Sequence, residues 1–447
     1  MIQGIFRLKF TTPQVAVILL SILAWIHFIF IERSNFTILI ANFIILFILF
    51  ILGLRVKFNW KKVLLIGVLF RLILLFMTPN LSQDFYRFIW DGNLVASGLN
   101  PYLKTPTQWM LTPNIIDNQD ILFEKMGSLS ASNFSNYPPF NQYLFAISSW
   151  LGGGSIWATT LIMRIQIILA DIGLFIIGFK FLRYLGKSEN LAYLFFLNPF
   201  VIAELTGNLH YEGVMMFFLL ASFYFLNKNH WIIAAIFWAL SINTKLLPLM
   251  LLPLFFRFFD WKKLLLFYSI IGATSLTLFI PYISISSSDN YVQTIALWFN
   301  SFEFNASFYY LLRWVGFEIS GYNQILIIGK ILAGLILILI SLVSFRKSNA
   351  KVIGLIKNSY IILIGYFLLS TTVHPWYVIS PLTLSLFTNS KIALVWSFLV
   401  LLSYSAYQQS EVKELPVLLL IEYGILLIIM GLEIVQIKKN YELNFFK

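Results

Sequence analysis

Apolar residues run along this chain in long blocks, separated by short polar or charged breaks. A helix that crosses a bilayer needs about 20 mostly apolar residues, and somewhat fewer inside a bundle. On that measure spans fall near 14–31, 36–54, 62–78, 156–180, 190–205, 212–227, 231–244, 246–258, 263–282, 323–345, 357–372, 376–389, 392–407 and 415–437. The pattern predicts an all-α, polytopic membrane helix bundle of about 12–14 transmembrane helices. The runs between 190 and 258 are short and are interrupted by Asn198-Pro199, Pro248 and Pro253. The first span follows Arg7 and Lys9 as a secretory signal would, but no small-residue cleavage site follows it, which favours a retained helix. The expected organisation is two N-terminal helices over 1–61, a catalytic membrane domain over 62–390, and C-terminal helices over 391–447.

Composition narrows the class. Of 447 residues, 59% are hydrophobic and only 11% are charged, against roughly 25% in a soluble domain. A soluble enzyme and a disordered chain are excluded, and the absence of cysteine excludes a disulfide scaffold and thiolate chemistry. The net charge of +12 is not a nucleic-acid signal, because membrane proteins acquire basic excess from the positive-inside bias. Of the 31 basic residues, 21 fall in one alternating set of connections and seven in the other: Arg33, Arg87, Lys104, Lys125, Lys245, Arg313 and Lys413. This asymmetry predicts both termini in the cytoplasm and a plasma-membrane protein with its chemistry on the extracytoplasmic side. The acids sort the opposite way, with only Glu189, Asp260 and Glu442 clearly on the basic side.

Two outer connections are long, 79–155 and 283–322. Both hold aromatics and turn sequences such as Asn100-Pro101-Tyr102 and Tyr137-Pro138-Pro139, and long loops of this content are usually functional. Residues 140–151 are amphipathic and too short to span, so an interfacial helix is expected there. Gly152-Gly153-Gly154 reads as a hinge.

The first chemical constellation lies at 82–102. With 82–91 helical, Asp84, Arg87 and Asp91 share one face at i, i+3 and i+7. Two carboxylates around an arginine suit proton abstraction from a substrate hydroxyl, with Arg87 holding an anionic or hydroxylated partner. The alternative is an interfacial helix with Asp84 in its favourable first turn and an Asp–Arg surface pair.

The string D-x-x-R-F-x-W-D-G from Asp84, then Gly98-Leu99-Asn100-Pro101-Tyr102, then Tyr137-Pro138-Pro139, resembles the first outer loop of GT-C superfamily glycosyltransferases. It is most similar to bacterial mannosyltransferase-like multi-pass proteins that use polyprenyl-phosphate sugars, and it is related to the catalytic subunit of GPI mannosyltransferase I. Segments 198–220, 242–255 and 374–377 resemble later motifs of the bacterial group, so the likeness covers roughly 62–390. The resemblance implies a GT-C-like fold and inverting transfer of a hexose, with mannose suggested, from a polyprenyl-phosphate donor to a lipid, glycan or protein acceptor. It maps the presumed base to Asp84 and the second loop acid to Asp91.

Three further groups gather on the same predicted face. Glu204, Asn208, His210 and Glu212 could bind a divalent metal or the donor's sugar hydroxyls, or could simply cap a helix hairpin. No second histidine stands at ligand spacing from His210, which argues against zinc. No cofactor is otherwise implied. Lys245, in an apolar stretch, suits the lipid-linked phosphate, with snorkelling to headgroups as its rival. His374 and Trp376 suit phosphate contact and sugar stacking, although interfacial aromatic belts have the same composition. Arg164 and Asp171 lie at i, i+7 and predict a satisfied interhelical network; Arg71, Lys330 and Glu422 have no evident partner. A transporter or flippase of lipid-linked sugars is the competing class, but it predicts inverted repeats and broken helices with polar groups near the bilayer midplane, whereas the polar residues here cluster at one predicted face and no repeat appears.

Overall fold

The computed structural model describes residues 9–300, 302–409 and 411–445. Its helices in chain order are α1 (Thr12–Phe28), α2 (Phe36–Arg55), α3 (Trp60–Ile73), α4 (Asp84–Ala96), α5 (Pro106–Trp109), α6 (Gln119–Ala131), α7 (Pro139–Gly152), α8 (Ile156–Tyr184), α9 (Tyr193–Phe196) and α10 (Pro199–Val201). They continue as α11 (Glu212–Asn227), α12 (Trp231–Thr244), α13 (Trp261–Phe279), α14 (Ile285–Asn300), α15 (Phe308–Ser320), α16 (Ile325–Ser344), α17 (Val352–Leu369), α18 (Ile379–Ser385), α19 (Ile392–Leu399) and α20 (Pro416–Phe445). No strand forms among the described residues; one isolated parallel bridge joins Phe304 and Thr372. The expected all-helical bundle is what forms.

Local chemistry sets the helix starts. Asn35, Asn59, Ser155 and Asp260 each accept a bond from the backbone N–H three residues on, capping α2, α3, α8 and α13. Among the described residues six helices are long and apolar enough to cross a membrane, and the pair Pro199–Gly207 and Glu212–Asn227, bent by 112° at its break, makes a seventh if it is one span. Several of the fourteen expected spans are instead short or irregular. Residues 247–257 form a 3-10 helix containing Pro253, and the run from 190 breaks into pieces before Pro199, because proline removes a backbone donor and blocks the preceding turn. Hydropathy registers that such a run is buried, but not that it is straight. α17 is the most enclosed of the six, while α13 and α20 keep most of their apolar surface on the outside, as lipid-facing helices do.

Most of the intramembrane charges find partners among the described residues. Asp171 on α8 pairs with Arg71 on α3 at 2.9 Å, both fully buried, rather than with Arg164 on its own helix. Arg164 donates instead to the carbonyls of Leu75, Thr206 and Gly207, at 2.7, 2.8 and 3.3 Å. Glu422 accepts from Trp396 Nε1 at 2.7 Å and from Asn305 Nδ2 at 3.2 Å. Arg313 pairs with Glu303 at 2.5 Å.

The long segment 79–155 folds as α4–α7, with α4 packed on α7. α7 buries Asn141, Phe145 and Ser148 and exposes Ile147, Trp150 and Leu151, so it has the two-faced character its sequence predicts. The glycine run forms the C-terminal cap of α7. Gly153 and Gly154 take left-handed angles, φ 55° and 82°, and end α7; a Cβ on Gly154 would meet Asp117 Oδ2 at 2.6 Å.

Candidate active site

Asp84 is the first residue of α4, where the helix dipole favours a negative charge. The segment ahead of it is held firmly. Asn80 Nδ2 donates to the carbonyls of Phe28 and Ile31, at 3.1 and 2.6 Å, and Leu81 N–H donates to Asn208 Oδ1 at 3.0 Å. Ser82 Oγ accepts from the Asp84 backbone N–H at 3.2 Å. Asp84 itself is half-buried, and among the described residues its carboxylate forms no ion pair. Burial raises its pKa above the usual carboxylate value; the charges of Lys245 and Arg33 and a bond from Ser82 oppose that shift without cancelling it.

The other two charged residues of α4 are sealed. Arg87 Nε donates to Asp91 Oδ1 at 2.8 Å, and its Nη1 donates to the carbonyls of Ser130 and Asn133 at 2.6 and 3.0 Å. Asp91 Oδ2 accepts from Ser135 Oγ at 2.5 Å and Gln142 Nε2 at 3.2 Å, and the residue is 0% exposed. The pair is therefore not at the surface; it ties α4 to the loop before α7. The same loop is fixed by Tyr102, whose hydroxyl donates to the Tyr137 carbonyl at 2.6 Å and so joins the Asn-Pro-Tyr and Tyr-Pro-Pro motifs.

The break between α10 and α11 supplies the facing wall. Residues 202–207 form one π-helical stretch, a geometry common at functional sites. Asn208 Nδ2 donates to the Ala203 carbonyl at 3.1 Å, so both ends of its amide are used on backbone groups. Leu209 adopts φ 63°, an unfavourable angle for a branched residue. The turn delivers His210 and Glu212 to the start of α11. Lys245, at the end of α12, donates Nζ to Glu212 Oε1. Glu204 accepts from the Tyr404 hydroxyl at 2.6 Å, and its other oxygen lies 3.8 Å from His210 Nε2.

His374 and Trp376 enter from the segment after α17. A backbone pair fixes that segment, with Phe304 N–H donating to Thr371 at 3.1 Å and Val373 N–H to Phe304 at 2.8 Å. His210 lies against the Trp376 ring at 3.8 Å and His374 against it at 4.6 Å, both nearly parallel. Phe304 extends the stack at 5.2 Å from His374. Two imidazoles thus occupy the indole, which is 8% exposed and has little surface left for a sugar. Burial, reinforced by Lys245, lowers the His374 pKa to about 3, so the ring is neutral at physiological pH.

Lys245 is within electrostatic reach of Asp84, His210 and His374 as well as Glu212, so the four chemical groups singled out in the sequence do converge. Within that cluster Asp84, Lys245 and His374 are partly open, while Asp91, Asn208, His210 and Glu212 are buried. No group of three or more His, Cys, Asp or Glu side chains placed to hold a metal ion occurs among the described residues. Sequence reasoning passed over Arg33, which arrives from the turn between α1 and α2. Its Nη2 donates to Gln83 Oε1 at 3.0 Å, and its guanidinium lies 4.6 Å from the Tyr407 ring centroid. The available signal was the one that exposed Lys245, a basic residue on the basic-poor face.

A family model described as the alpha-(1->6)-mannopyranosyltransferase N-terminal domain of the MptA_B family matches residues 11–259. The match takes in more than half of the chain, including Arg33, Asp84, the helix break and Lys245, and stops short of His374 and Trp376. No curated protein matches the chain. The chain belongs to the MptA_B family and is a mannosyltransferase-type glycosyltransferase, as its likeness to the bacterial GT-C mannosyltransferases implied.

Proposed function

We propose, from that family membership, that the protein moves a hexose, mannose by family, from a polyprenyl-phosphate donor to an acceptor hydroxyl on the extracytoplasmic face of the plasma membrane, with Asp84 as the base and both termini cytoplasmic. The sidedness rests on the basic residues, which crowd the opposite connections. The observation that carries the chemistry is Asp84: a partly open acid at a helix N-terminus, raised by burial toward neutrality and free of any ion pair among the described residues. A general base works best when its pKa approaches the working pH.

The acceptor oxygen attacks the anomeric carbon while the carbon–oxygen bond to the phosphate breaks, its electron pair leaving with the lipid phosphate. Asp84 takes the acceptor's proton. One displacement inverts the anomeric centre, and no protein nucleophile is required. Asp91 and Arg87 position α4, and Asn208 positions the segment leading to Asp84. A transporter reading finds no support in the family.

The test uses purified protein with a panel of polyprenyl-phosphate hexoses and candidate acceptors. Asp84→Asn is expected to keep its melting temperature and lose transfer by about 10²–10⁴-fold, the usual contribution of a general base. Nuclear magnetic resonance of the product should show the inverted anomer. Normal transfer by Asp84→Asn, or activity with nucleotide sugars alone, would sink this reading.

A further inference from the structure

Among the described residues, three of the basic side chains on the predicted outer connections near Asp84 and its neighbours are neutralised. Lys245 has Glu212, Arg87 has Asp91 and Arg313 has Glu303. Arg33 has no carboxylate within ion-pair distance among the described residues. It is half-buried and held in one place, its guanidinium over Tyr407 and one Nη2–H bonded to Gln83, the residue just before Asp84. A guanidinium has five N–H donors, so stacking plus a single bond leaves a planar fork with open donors beside the base. Such a fork matches the paired oxygens of a phosphate, and its charge cannot be lost by deprotonation.

The turn that bears Arg33 is docked on the site. Asn80 Nδ2 donates to the Phe28 and Ile31 carbonyls, which ties the α1–α2 hairpin to the segment leading to Asp84. The family match begins at residue 11 and so takes in this hairpin.

We propose that Arg33 binds the phosphate of the lipid-linked donor, which makes the N-terminal hairpin part of the donor site. This rests on the reading of the protein as a lipid-phosphate-dependent transferase. When the sugar–oxygen bond breaks, the electron pair remains on the phosphate oxygen, and Arg33 is the unpaired cation that receives that charge. Lys245, neutralised by Glu212, acts on the field around Asp84 and the histidines instead.

The test compares wild type, Arg33→Gln, Arg33→Lys and Gln83→Ala. Donor KM and acceptor KM are measured, with farnesyl phosphate, farnesol, inorganic phosphate and phosphatidylglycerol as competing probes. Farnesyl phosphate should compete with the donor and farnesol should not. Arg33→Gln should raise the donor KM and the farnesyl-phosphate inhibition constant about tenfold or more, with the acceptor KM within about twofold. Arg33→Lys should recover part of that loss. Three outcomes overturn the proposal: an unchanged donor KM in Arg33→Gln, the same kinetic loss in Gln83→Ala, or competition by phosphatidylglycerol equal to that by farnesyl phosphate, which marks a headgroup anchor. An active wild type with a dead Asp84→Asn and an unaffected Arg33→Gln removes this proposal alone. A wild type that uses no lipid-phosphate donor removes the functional reading with it.

Discussion

Asp84 and Asp91 are seven residues apart on one short helix, and replacing either by asparagine should give different phenotypes. At Asp91 the substitution removes the only carboxylate paired with Arg87, at side-chain exposures of 1% and 6%. The guanidinium keeps its bonds to the Ser130 and Asn133 carbonyls but is left as an uncompensated buried charge. Removing one partner of a buried pair costs about 3–5 kcal/mol. The new amide also presents N–H groups where Gln142 Nε2 now donates, so one donor in that pocket loses its acceptor.

Melting of the purified protein in detergent, followed by tryptophan fluorescence, should therefore fall clearly for Asp91→Asn, and transfer should fall with it. The double variant Arg87→Met with Asp91→Leu removes both charges. It should melt above Asp91→Asn even though it orphans the Ser130 and Asn133 carbonyls, because a buried pair can be replaced by apolar side chains far more cheaply than it can be halved. An Asp91→Asn protein that melts like wild type and transfers nothing would refute this reasoning and place Asp91 at the reacting atoms.

Three more expectations follow from the geometry around Asp84. Because burial raises the Asp84 pKa, kcat/KM should fall on the acid side at a pH above about 4, the ordinary carboxylate value; a midpoint at or below that would contradict the assignment. The linkage sign is opposite to that of a salt-bridged acid. With the folded pKa raised, the stability contribution of Asp84 is present at low pH and is lost as pH rises through the folded value, so Asp84→Asn should melt no lower than wild type at pH 7. Asn208→Leu should cost about 1–3 kcal/mol, because the Leu81 N–H loses its acceptor, and should reduce kcat more than donor KM. Unchanged melting and unchanged kcat would show that the Asn208 latch does not position Asp84.

The low charged fraction made the site legible. In a chain with 11% charged residues, an acid, a histidine or a lysine on the basic-poor face stands out, and Asp84, His210, Glu212, Lys245 and His374 do come together. Pairing was not legible, since it depends on residues far along the chain. Helical spacing places Asp91 with Asp84, but Ser135 and Gln142 enclose it from 44 and 51 residues away. Arg33 reaches Gln83 across 50 residues, from a hairpin that the loop motifs do not mention. Asp171 shares a helix face with Arg164, yet it faces Arg71, 100 residues distant. Helix regularity was not legible for a related reason: an apolar run interrupted by proline is buried without forming one straight helix.

The helix break at 207–212 shows why this site needs charges that do no chemistry. Within a bilayer, broken backbone is tolerated only where its freed groups find partners in the protein. Bending the chain there leaves the carbonyls of Thr206 and Gly207 at an open helix end, and Arg164 takes both while also holding the Leu75 carbonyl at the end of the α3 segment. Leu209 in the left-handed region costs of order 1–3 kcal/mol and persists because bonds through Asn208 fix the turn from both sides. The result is that Glu212 begins a new helix instead of continuing an old one, close enough to Asp84 for their charges to interact. An unbroken helix would place residues 210 and 212 about 200° apart around its axis, on opposite faces, and only one of them could look toward the acid. The strained turn, and the buried arginine that tolerates it, are therefore conditions for the cluster to exist.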